Sequence, residues 1–315
     1  MPGGVATDQT RMRDTQDVSD TTRWPTPEQV LDALDRSGHL LEQQVASDLV
    51  GLGYSVTTGR AFIDKDEGKS REVDVYAVKW LMNDEARRVR LAVHLLVECK
   101  KTSAPFAFLT RPVPRRSRPP EEVLITLHSR EERFEEEGRT YIRHAPTFEV
   151  LGLSKEYWGT ADPVKAVHIS RLDRKGGEWN ASNTGVFDSL TWPLAEAVRA
   201  FKAPYRNPNR GFDAARDWSY VMLFVPIVVV GSKLFAADGT SASPEAKEVP
   251  HVRLHRELNG KGFQGEFSID FVQRDAFVEF VRDTVDAFGR TMVDVVENDI
   301  DAVIPKDKWP MWTDW

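Results

Sequence analysis

Leu91-Ala92-Val93-His94-Leu95-Leu96-Val97-Glu98-Cys99-Lys100-Lys101 decides how this chain is read. Apolar side chains run almost unbroken from Leu91 to Val97, and Glu98 and Lys100 then arrive together. A short run rich in valine and leucine predicts a strand buried on both faces. Side chains alternate along a strand, so Glu98 and Lys100 share one face and Cys99 takes the other. A charged pair at the end of a buried strand is where open α/β sheets commonly keep their chemistry.

Working outward, Arg71-Glu72-Val73-Asp74-Val75-Tyr76-Ala77-Val78 predicts a preceding strand. The polar stretch Asn83 to Arg88 then makes the pair a hairpin. Val73, Val75 and Ala77 are expected on one face, with Asp74 on the other, across from Glu98. Upstream, Leu41, Val45, Leu49 and Leu52 recur at helical spacing between Gly38 and Leu52, with Ser37 as candidate N-cap. Glu42 lies at the rim of that apolar stripe.

A helix-borne Glu42, then Asp74 on one strand, then Glu98-Cys99-Lys100 on the next, resembles the PD-(D/E)XK nuclease superfamily, and most closely its Mrr-like restriction and DNA-repair branch. The motifs cover roughly residues 37 to 101. Val73 stands where the family's eponymous proline would be. The resemblance implies an α/β, restriction-endonuclease-like fold: a central mixed β-sheet flanked by helices. It further implies a Mg²⁺-dependent DNA endonuclease, with Mn²⁺ able to substitute, of a kind at work in restriction and antiviral defence. Asp74, Glu98, the Cys99 backbone carbonyl and Glu42 would be the metal ligands, and Lys100 would join Glu42, Asp74 and Glu98 in catalysis. A homodimer would suit such an enzyme, because cutting both strands takes two sites, but the sequence does not fix the oligomeric state.

Length and charge bound these expectations. A chain of 315 residues with 41% hydrophobic and 29% charged residues suits a folded, water-exposed protein. One cysteine excludes an internal disulfide or a Cys-rich zinc site and fits a reducing cytoplasm. No apolar run reaches the ~18 residues of a membrane helix. The net charge of −7 argues against tight, nonspecific coating of DNA but leaves basic residues for one face and does not exclude a cleft. It also supports the alternative of a nuclease-like module that binds nucleic acid or a partner protein without cutting.

The expected organisation is a disordered tail over 1–23, one nuclease-like domain over 24–300 with an insertion at about 102–183, and a tryptophan-rich tail over 301–315. Thr26-Pro27 predicts a helix start. Arg111 to Pro120 reads either as a stiff arm laying arginines on phosphates or as a solvated loop. Glu131 to Glu137 reads as an exposed helical turn. A helix ending at Phe201 is expected to pack on the sheet, and Val221 to Val230 reads as a second buried strand, with Pro226 at a bulge or an unpaired position. Phe267, Ile269 and Phe271 are expected inward, with Ser268 and Asp270 outward. A long amphipathic helix capped by Asp275 closes the domain.

Several residues have plainer readings. Glu72 is a rival ligand or a solvated flank, and Lys101 is structural by strand parity. Gln43 and Gln44 are helix surface, and His94 is a satisfied core residue. His251 and His255 are too far apart on a strand to share an ion.

Overall fold

Thr26 starts the first helix, α1 (Pro27–Ser37), through a capping box: its Oγ1 accepts from the Gln29 N–H, and Gln29 Oε1 accepts from the Thr26 N–H. The computed structural model describes residues 24–65, 67–113, 123–125, 129–205, 217–259 and 264–304. α1 ends at Gly38, whose φ of 91° lies in the left-handed region that favours glycine, and α2 (His39–Gly51) starts from it directly. Ser37 is therefore not an N-cap. It closes α1, and its hydroxyl donates to the Leu34 carbonyl at 2.8 Å.

Three antiparallel strands follow: β1 (Ser55–Asp64), β2 (Lys69–Asp84) and β3 (Val89–Lys100). The β2–β3 turn is the expected one, with Asp84 Oδ1 accepting from the Arg87 N–H. The ladder runs down to Val75 opposite Val97. Past that rung β2 leaves β3, and Val73 packs with Phe62 and Tyr76 instead of with Val75 and Ala77 as expected.

The region expected to be an insertion without periodicity carries β4 (Phe106–Pro112), β5 (Val123–Ile125), β6 (Ser129–Glu136) and β7 (Arg139–Pro146). Three single-turn helices follow, α3 (Thr147–Val150), α4 (Leu153–Glu156) and α5 (Trp158–Ala161), then β8 (Val164–Lys175) and β9 (Glu178–Ser182). Glu131 to Glu136 is thus strand, not helical turn. Glu137 and Gly138, at φ 51° and 72°, fold β6 back on β7, and that left-handed pair suits a two-residue hairpin.

The rest comprises α6 (Trp192–Lys202), β10 (Ser219–Val230), β11 (Leu234–Asp238), β12 (Ala246–Glu248), β13 (His251–Asn259) and β14 (Gln264–Gln273). It closes with α7 (Phe277–Phe280), a π-helical turn and α8 (Asp286–Asn298). Among the described residues one mixed sheet has the order β1-β2-β3-β10-β14-β13-β8-β4-β11-β12, with β5 on β10 and β9 on β8. β3 and β10 run parallel at its centre. Pro226 sits in register opposite Leu96. On its other edge the described pairing with β5 reaches Leu223 and that with β14 begins at Ile227, so among the described residues the missing N–H falls between the two.

Helices cover both faces. On one, Leu41, Val45 and Leu49 of α2 and Phe288, Met292 and Val296 of α8 pack on Val93, Leu95 and Val97. On the other, Leu194, Ala197 and Val198 of α6 pack with Leu96, Phe224 and Val228. Gly289 marks this closeness: a Cβ there would stand 2.7 Å from Leu81 Cδ1, which would have to move aside. Double coverage also corrects Asp270, which is fully buried. Burial alone would raise its carboxyl, but Arg253 Nη1 at 2.6 Å and His251 Nε2 at 2.8 Å outweigh that and hold it low. Asp275 lies inside the 3₁₀ turn Arg274–Ala276, which Gln273 precedes, so it is not the cap. No helix among the described residues is long and apolar enough to cross a membrane. The tail over 1–23, the end of the chain from 305 and most of the basic arm (114–120) lie outside the described residues.

Candidate active site

The site lies where β2 parts from β3. Continuing the register one step beyond Val75–Val97 sets Asp74 opposite Glu98. With the ladder ended there, the Asp74 carboxylate takes the place of a strand partner, its Oδ2 accepting from the Cys99 N–H at 2.7 Å. Glu98 and Lys100 share a face, as alternation requires, and Lys100 Nζ donates to Glu98 Oε1 at 2.6 Å. Both are part-buried, with side-chain exposures of 15% and 32%. Cys99 turns the other way, into the core with Val97.

Glu42 reaches this point because of Gly38. A Cβ on that glycine would sit 3.6 Å from Lys101 Cβ, so the start of α2 lies against the exit of β3. Glu42 is in the first turn of α2, and its carboxylate stands 3.4 Å from His39 Nδ1. Lys101 Nζ pairs with Asp35 of α1 at 2.9 Å, which fastens the same junction and agrees with its structural reading.

The electrostatics tie the acids together. Burial pushes the Asp74 carboxyl up to about 6, helped by the charges of Glu98 and Glu42 and opposed by the Cys99 N–H and by Lys100. The Cys99 thiol is pushed up by burial and by the same three carboxylates, which leaves it an un-ionised core side chain. Among the described residues, however, no three His, Cys, Asp or Glu side chains form a ready ligand set. Each acid is turned to its own partner: Asp74 to the Cys99 N–H, Glu98 to Lys100, Glu42 to His39. The four residues share one neighbourhood, with the carboxylates close enough to repel but not converged on a point.

The rivals keep their plainer roles. Glu72 is exposed, as are Gln43 and Gln44. His94 shares a 2.6 Å hydrogen bond with the Tyr76 hydroxyl and stacks on Phe224, and burial lowers it to about 3, so it stays neutral. His251 faces Asp270, while His255 faces Ser268 and Glu266.

Two features were missed from the sequence. His39 lies three residues before Glu42, a spacing that could have flagged it. Arg171, on β8, lines a cleft of about 250 Å³ beside Lys100, and no local pattern connects it to the Glu98 strand. A larger hollow of about 600 Å³ lies at the β2–β3 turn, the other end of the ladder. Its Asp84 and Arg87 pair with each other at 3.0 Å. Compared with known proteins, the chain matches no family model, no curated protein and no solved structure.

Proposed function

We propose that this chain is a metal-dependent endonuclease that hydrolyses DNA phosphodiester bonds, with a restriction-endonuclease-like core and a role in restriction or antiviral defence. The observation that carries the reading is the part-buried Asp74 carboxyl held against the Cys99 N–H, raised by burial and then by the charges of Glu98 and Glu42, with the Lys100–Glu98 pair beside it. The order α2, β1, β2, β3, with α6 packed across the sheet, supports it further.

The donor set suits a hard divalent ion, being carboxylate oxygens and a backbone carbonyl with no thiolate. Repulsion among the acids is what such an ion relieves, so the residues fit Mg²⁺, with Mn²⁺ as substitute. Asp74 and Glu98 would hold it, with the Cys99 carbonyl and Glu42 completing the protein's share. When bound, the ion would neutralise charge on the phosphate and make a bound water more acidic.

The chain's own groups do the rest. The Cys99 N–H orients the Asp74 carboxylate and favours its ionised form against the burial and neighbouring charges that raise it. Glu98 holds the Lys100 ammonium at the strand end, where it can donate to a phosphate oxygen or to the attacking water. A homodimer would supply a site for each strand of a duplex.

Plasmid cleavage with Mg²⁺ or Mn²⁺ tests the reading. Wild type should nick and linearise the plasmid, and Glu98→Ala should not. Equal rates for the two would sink the assignment.

The Glu98–Lys100 contact also favours a second reading, a nuclease-like module that binds without cutting, because it already satisfies the acid internally. Calorimetric titration separates the two. The module should take up no ion in a manner that depends on Asp74.

A further inference from the structure

We propose that the cleft beside Lys100 is an anion subsite, built by the region between β3 and β10, that holds the phosphate flanking the one to be cut. The identification of the anion as a nucleic-acid phosphate rests on the nuclease reading above.

Among the described residues its walls carry three cations, Lys100, Lys101 and Arg171, and the hydroxyls of Thr102, Thr184 and Ser189, and no acidic side chain. In a chain of net charge −7 such a lining is unusual. Each cation is steadied from outside the lining: Lys100 by Glu98, Lys101 by Asp35, and Arg171 by Asp173 at 3.0 Å. None of these three carboxylates is among the residues lining the cleft. Side-chain exposures of 46% for Arg171 and 32% for Lys100 leave both reachable by a ligand.

The floor is apolar. Phe106, Val186 and Leu190 are all at most 5% exposed. Cationic and hydroxyl walls over an apolar floor suit a phosphate attached to a sugar better than a free inorganic ion. At about 250 Å³ the cleft has room for one nucleotide unit, not for a double helix. Lys100 belongs both to this cleft and to the acid cluster, so a phosphate held here is a neighbour of the one facing Asp74 and Glu98. The subsite thus tracks one strand and sets its register against the acids.

Anisotropy titrations of a labelled DNA oligonucleotide, single-stranded and duplex, test this over a salt series in EDTA, so that no cleavage is needed. The variants are Arg171→Gln and Ser189→Ala, with Lys247→Gln on β12 as a remote charge control and thermal melts to verify folding. Arg171→Gln should weaken binding roughly 5- to 20-fold, and the slope of log K against log salt should shrink by about 0.7–0.9, one phosphate contact. Ser189→Ala should weaken binding without changing the slope, and Lys247→Gln should do neither. Wild-type affinity and slope in Arg171→Gln would overturn the subsite even if the protein cleaves DNA, and so would a wild type that binds neither oligonucleotide. Binding that depends on Arg171 in a protein that never cleaves would uphold the subsite and overturn the nuclease.

Discussion

The carboxylate of Asp74 accepts a 2.7 Å hydrogen bond from the backbone N–H of Cys99, across the point where their two strands separate. This contact locks the side chain of one strand to the main chain of the next. It holds a negative group in place although burial and the charges of Glu98 and Glu42 oppose its ionisation. Stability and function therefore pull in different directions at this residue.

Replacing Asp74 by Asn separates them. An amide oxygen can still accept from Cys99, while the charge that its neighbours repel is gone. Thermal melts in EDTA should show an unchanged or higher Tm. The proposed site also predicts that Mg²⁺ or Mn²⁺ should raise the Tm of the wild type and not that of Asp74→Asn. A variant that melts much lower would mean that the charge itself supports the fold.

The raised Asp74 pKa sets two opposite pH trends. Between the ordinary value of 3.8 and about 6, the folded chain keeps a proton that the unfolded chain has released. This residue's contribution to stability accordingly declines as pH climbs through that window and is flat above it. Ion binding runs the other way, since the proton competes with the metal. Calorimetry should show Mg²⁺ affinity falling about tenfold per pH unit below the Asp74 pKa and levelling off above it.

Lys100→Ala should divide binding from turnover. Glu98 loses its 2.6 Å partner and is left available to a cation, so Mn²⁺ affinity should hold or rise. Cleavage should drop by roughly 10²–10⁴-fold, the span of a lost general acid–base or electrostatic contribution. Parallel calorimetry and plasmid assays read both quantities. A variant that cleaves at the wild-type rate would remove Lys100 from the mechanism.

Gly289 and Leu81 should be coupled. Alanine in place of a helical glycine usually gains about 1 kcal/mol. Here the new Cβ would meet Leu81 Cδ1 at 2.7 Å, so Gly289→Ala should be neutral or destabilising by about 1 kcal/mol. In a Leu81→Ala background the same change should stabilise. Denaturant unfolding of the four proteins gives the coupling energy, and additivity within about 0.3–0.5 kcal/mol would contradict the contact.

Much of the centre could be read from the sequence because its signals are local. An unbroken apolar run is enough to find β3 and β10, and Thr26-Pro27 is enough to find α1. Parity alone puts Glu98 and Lys100 together, whereas Asp74 lies one residue past the last paired rung and meets the Cys99 N–H instead. The errors arise where a distant part of the chain decides. Asp270 reads as solvent-facing until Arg253 and His251 arrive from β13 to neutralise it. The charged stretch at Glu131 takes its conformation from the turn at Glu137-Gly138 and has no periodicity of its own. Ser37 lost its capping role because α1 continues right up to Gly38. Arg171 joins Lys100 in one cleft because β4, which follows β3, pairs Phe106 with Arg171 of β8, and no spacing along the chain reveals that.

The adjacency of β3 and β10, from Val89 beside Ser219 to Lys100 beside Val230, has a consequence for biogenesis. During synthesis the β1–β3 meander can zip up early, since its turns are short. The flank of β3 that β10 will cover must then wait, sticky and bare, until more than a hundred further residues have emerged at about 5–20 per second. Nascent fragments ending before Ser219 should therefore be the ones that clump or recruit chaperones.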